Sequence, residues 1–112
     1  MSCIFCRIVA GELPSKKAYE DERVLAFYDI APQAPVHVLV IPKEHIESAA
    51  CIDEGNAELA GYVLAVAARV ARQLGTADGY RLISNIGDAA GQSVKHLHFH
   101  LLAGADMSDR II

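Results

Sequence analysis

Three of the chain's five histidines, His96, His98 and His100, alternate with apolar residues near the end of the sequence. Side chains at alternate positions of a β-strand lie on one face, so the three imidazoles are expected to share a face backed by a core. Imidazole titrates near neutral pH and can serve as a nucleophile, a proton carrier or a metal ligand. The spacing therefore predicts a reactive site on a strand that runs from Ser93 to about Leu102.

A loop that contains glycine and aspartate, residues 85–92, leads directly into this strand. Glycines allow backbone N–H groups to approach an oxyanion closely, and the following strand would place imidazoles beside that anion. An ordinary turn has a similar composition, but the adjacent histidines favour an anion site. Phosphorus is the electrophile expected there.

Cys3 and Cys6 have the spacing at which two thiolates can bind one zinc ion, which then needs two more ligands for a closed tetrahedral site. The count of three cysteines is odd, and residues 1–6 lack the basic and apolar plan of an export signal, so a disulfide framework is not expected. The alternative is a pair of reduced cysteines on a short helix. Cys51 is expected to be a buried bystander.

Length and charge restrict the class of protein. A chain of 112 residues is expected to form one domain over residues 1–112, and no apolar stretch reaches the roughly 18 residues of a membrane span. The net charge of −4 argues against DNA or RNA polymers as partners, although a single nucleotide remains compatible with it. We expect a cytoplasmic protein with no membrane partner.

Hydrophobic periodicity predicts a short helix over residues 4–10 and a long helix from about Asp53, its N-cap, to Leu74. Strands are predicted over residues 16–19, 24–29, 36–41 and 80–84, besides the histidine strand. Small residues form a second stripe on the long helix. Core packing is the favoured explanation for this stripe and a subunit contact is the alternative; its members are Gly61, Ala65, Ala68 and Ala71.

Two long segments resemble one known family. The segment from Gln92 to Leu102 resembles the histidine-triad (HIT) signature, and Leu25 to Ile46 resembles the second long motif of its HINT-type branch of nucleoside phosphoramidate hydrolases. The resemblance covers the chain from about Cys3 to Leu102. It implies an α+β fold, in which an antiparallel sheet of about five strands carries one long and one short helix. It also implies a homodimer through the long helix and a sheet edge.

By this resemblance, His98 attacks the α-phosphorus of a nucleotide and forms a nucleotidyl-histidine that water hydrolyses. A neutral imidazole can do so if one ring nitrogen donates to a fixed acceptor, such as a backbone carbonyl, and the other is aimed at phosphorus. His37 and His100 would stabilise the phosphate charge, and Ser93 would lie near the leaving group. The implied substrates are purine nucleoside phosphoramidates of the AMP or GMP type, without an organic cofactor.

The resemblance also implies the positions that contact the nucleotide. Asp29 is expected to bind the ribose, since a carboxylate can accept from two adjacent hydroxyls. The apolar slot for the base is expected to consist of Ile4, Phe5, Ile8 and Phe27. The other contacts to ribose and phosphate are expected from Ile30, Asn85, Gly91, Gln92, Ser93, His98 and His100.

Some relatives of this kind combine a cysteine pair with a downstream histidine and the first histidine of the triad. That combination implies a structural zinc with the ligands Cys3, Cys6, His45 and His96. Two other functions stay open on the sequence: a dinucleoside polyphosphate hydrolase, and a nucleotide-binding or zinc-bearing scaffold with little turnover. The same residues would bind and cleave the nucleotide, so the sequence does not separate these three.

Overall fold

The computed structural model describes residues 3–112. Met1 and Ser2, the first two residues of the segment that lacks the plan of an export signal, lie outside the described residues. The two α-helices and five strands are α1 (Ile4–Val9), β1 (Lys17–Glu20), β2 (Val24–Tyr28), β3 (Val36–Pro42), α2 (Ala57–Gln73), β4 (Tyr80–Ile83) and β5 (Phe99–Ala103). This is the predicted α+β fold with one long and one short helix. Within residues 3–112, neither α-helix has the length and hydropathy needed to cross a bilayer.

The five strands form one sheet in the order β1-β2-β3-β5-β4, and every neighbouring pair is antiparallel. β5 therefore lies inside the sheet, between β3 and β4. His100 on β5 is paired with Leu39 on one side and with Ile83 on the other. A histidine with hydrogen-bonded neighbours on both sides has a firmly fixed backbone.

The two faces of the sheet are covered by different helices. α2 packs on one face, in a core that includes Val24, Val38, Val63 and Leu101. α1 covers the other face through Phe5, which packs with Leu25, Phe27, Leu39 and Ile41. Because side chains alternate along a strand, His37 and His100 lie on the face that α1 covers. The functional histidines are thus backed by the α2 core and face α1.

The histidine strand is shorter than predicted, because β5 begins at Phe99 and not at Ser93. Residues 92–98 have no partner in the strand ladder. The predicted alternation holds on β5 itself, where Phe99 and Leu101 pack on the α2 side. His96 and His98 precede the strand, so contacts outside the sheet must fix them.

The predicted start of α2 is also wrong. The helix begins at Ala57, its N-cap Asn56 makes no side-chain cap, and Asp53 instead accepts from the N–H of Gly55 in the preceding turn. The stripe of small residues is only partly core: Ala71 is buried, whereas Gly61 and Ala65 are exposed. Core packing therefore does not explain the exposed end of this stripe.

Asp21 ties the β1–β2 turn to α2. Its Oδ1 accepts from the N–H groups of Arg23 and Val24 at 2.7 and 2.8 Å, and its Oδ2 accepts from the hydroxyls of Tyr19 and Tyr62. Burial alone would raise the pKa of Asp21, but these four hydrogen bonds lower it well below its ordinary range. The hydrogen bond to Asp21 is the main reason that the pKa of Tyr62 is raised to about 12.

We expect the Asp21 carboxylate to make stability depend on acid pH. Its folded pKa is below the unfolded value of about 3.9, so its contribution is complete above that pH and is lost as pH falls through the folded value. Asp21→Asn should lower Tm clearly at neutral pH, and the difference from wild type should shrink as pH falls below about 4. Thermal unfolding across this range, with the exposed Asp78→Asn as control, checks it. A difference independent of pH would show that ionised Asp21 stabilises nothing.

Candidate functional site

A cavity of about 580 Å³ lies between α1 and the sheet. Its apolar lining includes all four residues predicted for the base slot and Leu39: Ile4, Phe5, Ile8, Phe27 and Leu39. Ile30 also lines it but is fully exposed, so it belongs to the rim. Its polar lining includes Asp29, Ser93, His98 and His100.

A second cavity of about 440 Å³ shares Asp29, Ser93, His98 and His100 with the first. The residues that line only this cavity include His37, Asn85, Gly91 and Gln33. The four shared residues therefore lie at the boundary between a largely apolar cavity and a more polar one. A molecule with an apolar ring and a charged group could place the charge at this boundary.

His98 is buried, with 6% of its surface exposed, and its ring position is fixed from two sides. Its Nδ1 lies 2.7 Å from the carbonyl oxygen of His96, and the Phe5 ring packs edge-on against it at a centroid distance of 5.2 Å. Because a carbonyl only accepts, Nδ1 carries the proton and Nε2 keeps its lone pair. The carbonyl of His98 itself accepts from the Ser84 hydroxyl at 2.8 Å. His98 thus has the tautomer of a neutral nucleophile.

His37 and His100 form a hydrogen-bonded pair with assigned tautomers. The N–H of Gln33 donates to His37 Nδ1 at 3.1 Å, so the proton of a neutral His37 is on Nε2. That Nε2–H donates to His100 Nδ1 at 2.9 Å and lies 3.4 Å from an Asp29 carboxylate oxygen. His100 must then carry its own proton on Nε2. Burial, and then the nearby His98 and His37, lower the pKa of His100, so it is a neutral N–H donor at neutral pH.

Asp29, His37 and His100 also have ligand atoms within 4.8 Å of one another, as in a metal site. A metal would need lone pairs on both His37 Nε2 and His100 Nδ1, which here share a proton. The Gln33 N–H fixes the His37 tautomer that lacks this lone pair. The histidines therefore form a hydrogen-bonded pair beside Asp29, an arrangement that does not fit a metal site.

The loop before the triad differs from the expected anion cradle. Gly91 is left-handed, with φ of 86°, and lines the polar cavity together with Asn85. Four N–H groups of the loop are used inside it, because those of Ala90, Gly91 and Gln92 donate to loop carbonyls and that of Gly87 donates to Gln92 Oε1. These four N–H groups are not free to bind an oxyanion, and an anion site formed by other N–H groups of the loop stays a prediction.

Gln92 lies in the protein interior, and its polar atoms are all used by the protein. Its Nε2 donates to the carbonyls of Glu47 at 2.7 Å and Val94 at 3.1 Å, and its Oε1 accepts from the Gly87 N–H. It lines neither of the two cavities. Its side chain holds the loop in place, in contrast to the predicted contact with nucleotide.

The structure brings Cys3, Cys6, His45 and His96 together. His96 Nδ1 lies 3.2 Å from His45 Nδ1, 3.5 Å from Cys3 Sγ and 3.6 Å from Cys6 Sγ, and Cys6 Sγ lies 3.3 Å from His45 Nδ1. A tetrahedral zinc with bonds of about 2.0–2.3 Å separates its ligand atoms by about 3.3–3.8 Å. The four side chains thus form a tetrahedral site of the kind that holds zinc.

The burial and the tautomer of His96 suit a metal ligand. It is completely buried, and its Nε2–H donates to the Pro42 carbonyl at 2.8 Å, which leaves the Nδ1 lone pair directed into the cysteine and histidine cluster. Burial lowers the pKa of His96, which favours the neutral, ligating form. Cys51 lies apart from the cluster and is exposed, so the expectation of a buried bystander is wrong in its burial.

Three residues that orient the histidines were missed by the sequence reading: Gln33, Pro42 and Ser84. Gln33 and Pro42 act through backbone atoms, which leave no signature in residue type. Ser84 directly follows β4, and a hydroxyl at a strand end is too common to single out. Only their places beside the triad reveal what they do.

Comparisons with known proteins agree with this fold and site. The HIT domain family model matches residues 10–107. A "14 kDa zinc-binding protein" of Zea mays is 50% identical over 107 residues, which cover 94% of this chain and 84% of that protein.

Two solved structures are similar over nearly their whole length. A "HIT family hydrolase" from Clostridium thermocellum has a TM-score of 0.96 and 54% identity, covering 99% of this chain and 97% of that one. A histidine triad protein from Clostridium difficile has a TM-score of 0.92 and 45% identity, covering 98% and 96%. Together with the matched domain and the triad described above, they establish that the chain belongs to the HIT family.

Proposed function

We propose that the chain is a nucleotide hydrolase that cleaves the phosphorus–nitrogen bond of purine nucleoside phosphoramidates through a nucleotidyl-His98 intermediate. The observation that carries this proposal is the state of His98: its Nδ1 is fixed on a carbonyl, and the ring lies between an apolar and a polar cavity. The similar Clostridium thermocellum protein, described as a hydrolase, supports a hydrolytic reaction.

The two cavities suggest how such a substrate binds. The purine would occupy the apolar cavity, which Phe5 and Phe27 line, and the ribose hydroxyls would donate to Asp29. The α-phosphate would then lie at the shared boundary, within reach of His98 and His100. The leaving amine would enter the more polar cavity, which Asn85 and Gly91 line.

In the first step, His98 Nε2 attacks the α-phosphorus, the phosphorus–nitrogen bond breaks, and the amine leaves with its electron pair and takes up a proton. Ser93 is the hydroxyl residue that lines both cavities, and it is the proposed proton relay: its hydroxyl donates to the leaving nitrogen and takes up a proton from solvent in return. The His98 ring becomes cationic, and its Nδ1–H stays on the His96 carbonyl. His100, held by His37, donates its Nε2–H to a phosphate oxygen as charge develops.

In the second step, water attacks the phosphorus, the bond to His98 Nε2 breaks, and the nucleoside monophosphate leaves. The water proton passes to solvent or to the departing phosphate, and His98 returns to its neutral tautomer. No organic cofactor takes part in the proposed reaction. Cys3, Cys6, His45 and His96 would hold zinc in the proposed structural role, and four protein ligands would leave no open position for water.

A dinucleoside polyphosphate hydrolase would use the same nucleophile with a larger leaving group. Steady-state assay of adenosine phosphoramidate against diadenosine polyphosphates separates the two activities. We expect the higher kcat/KM with the phosphoramidate, the substrate class that the family resemblance implies. Higher kcat/KM with the polyphosphates would favour the alternative, and tight nucleotide binding without turnover would favour a scaffold.

Asp29→Asn tests the ribose site with little change in shape. The amide oxygen can still accept from the Ala31 N–H, as Asp29 Oδ1 does at 2.8 Å, but the other carboxylate oxygen becomes a donor. Each lost hydrogen bond to the carboxylate is worth about 1.5–3 kcal/mol, so AMP should bind at least about tenfold more weakly. Binding of 2′,3′-dideoxy-AMP, measured by calorimetry, should change little. Equal losses for both nucleotides would remove Asp29 from the ribose site.

A homodimer and a cytoplasmic location complete the proposal. Gly61 and Ala65 are exposed on α2 together with Leu64, and β4 is an edge strand with one neighbour, so both offer surfaces for a second subunit. A reducing compartment would keep the three cysteines out of disulfides, which the structure does not form among them.

A further inference from the structure

Residues 92–98, here called the catalytic segment, contain two of the three triad histidines but lie outside the sheet ladder. They are held instead by residues 42–47, here called the clamp segment. The His96 ring donates to the Pro42 carbonyl at 2.8 Å, the Leu97 N–H donates to the Ile46 carbonyl at 2.6 Å, and the Gln92 amide donates to the Glu47 carbonyl. The clamp segment thus replaces the missing strand pairing.

The metal site joins three parts of the chain at this point. Cys3 is the N-cap of α1 and Cys6 lies within α1. His45 belongs to the clamp segment, and His96 belongs to the catalytic segment. A metal bound by all four fixes the distances among these parts. Without it, His45 is held against His96 only by a hydrogen bond between their Nδ1 atoms, 3.2 Å apart, and by edge-on packing of the rings at 4.9 Å.

Two contacts lead from the metal site to His98. The backbone carbonyl of His96, whose side chain is a metal ligand, accepts the His98 Nδ1–H at 2.7 Å. Phe5 lies between Cys3 and Cys6 in sequence and packs edge-on against both His96 and His98, at 6.0 and 5.2 Å. A shift of His96 or of α1 therefore turns the ring that carries the attacking Nε2.

We propose that His96 is a positioning residue through which zinc occupancy sets the alignment of His98. The inference rests on the proposed function, because it assigns zinc a part in that reaction beyond stabilising the fold. Loss of the metal should lower kcat by about 10–100-fold, the usual effect of losing a group that orients a reactive one. The affinity for AMP should change less, because Asp29 and Phe27 come from β2 and its end, and only the α1 side of the cavity belongs to a linked segment.

His45 offers the cleanest variants, since it is exposed and lines neither of the two cavities. His45→Ala removes one ligand, whereas His45→Cys restores a set of three cysteines and one histidine that is common in structural zinc sites. Cys51→Ser is the matched control for a changed cysteine outside the site. All proteins are compared well below their melting temperatures, with zinc content, kcat and the Kd of AMP measured for each.

Two readouts do not require turnover. The His98 Nδ1–H proton, bonded to a carbonyl, should give a downfield NMR signal in the zinc-loaded protein. The hydrogen-exchange rate of the Leu97 amide measures how well its bond to the Ile46 carbonyl is kept. In zinc-free His45→Ala we expect the signal to broaden or vanish, the Leu97 amide to exchange faster and kcat to fall. In His45→Cys loaded with zinc, all three should return toward wild type, and Cys51→Ser should not differ from it.

A zinc-free, folded His45→Ala with the wild-type kcat and an unchanged His98 signal would overturn the proposal. So would a loss of AMP affinity as large as the loss of kcat, since it would indicate general collapse of the site. If wild type turns over no nucleotide, the proposed function fails. The His98 signal and the Leu97 exchange rate then still decide whether zinc positions His98.

Discussion

His98→Asn is expected to abolish turnover of adenosine phosphoramidate, with a fall in kcat on the order of 10⁴–10⁶, the size typical when an enzyme loses its nucleophile. Asparagine removes the attacking Nε2, yet its amide can still donate to the His96 carbonyl that now holds His98 Nδ1. The Phe5 side of the cavity keeps its other packing partners, among them Phe27. AMP should therefore bind the variant nearly as well as it binds wild type.

Single-turnover kinetics and calorimetry with AMP check this expectation on the same preparations. Ser84→Ala is a useful companion, because it loses only the hydroxyl that donates to the His98 carbonyl and should reduce kcat modestly. A His98→Asn protein with kcat within about tenfold of wild type would rule out the histidine nucleophile.

Cys6→Ser is expected to lose stoichiometric zinc and to unfold at a Tm lower by about 10 °C or more, because bound structural zinc contributes several kcal/mol or more to folding. Cys6 Sγ lies within 3.6 Å of both histidine ligand atoms, so the hydroxyl of serine leaves an open, weakly binding position. Activity should fall only as far as α1 and the catalytic segment lose their places.

Metal analysis of untagged protein purified without chelators, together with thermal unfolding, measures both effects. Cys51→Ser provides the control, since Cys51 is an exposed thiol away from the cluster. If wild type contains no stoichiometric zinc, or if Cys6→Ser melts at the wild-type temperature, Cys3 and Cys6 are ordinary cysteines.

The strands and helices were largely predictable because the local signals agreed with one another. The β-branched run before Pro42 predicted β3, and the apolar stripe through Val63, Val66 and Val70 predicted α2. The errors fell at element ends. Asp53 looked like an N-cap but instead turns the chain before the helix, and residues 93–98 had the alternation of a strand without a strand beside them.

The site was predictable as a set of side chains but not as a network. Residue type and family resemblance predicted that the four zinc ligands meet, and the structure brings them together. Hydrogen bonds from backbone atoms, such as those of Pro42 and Gln33, depend on the folded path of the chain and leave no mark in composition. The same limit applies to Gln92. The family motif suggested that it contacts nucleotide, although its side-chain amide is hydrogen-bonded to Glu47, Val94 and Gly87.

The most direct test of the central claim is to trap the covalent intermediate. Wild-type protein is mixed with a phosphoramidate labelled in its nucleotide, quenched in denaturant at alkaline pH, digested and mapped. The account predicts an acid-labile nucleotide on the peptide that contains His98, and no label in His98→Asn. A label on another residue, or rapid turnover in wild type without any trapped label, would contradict it.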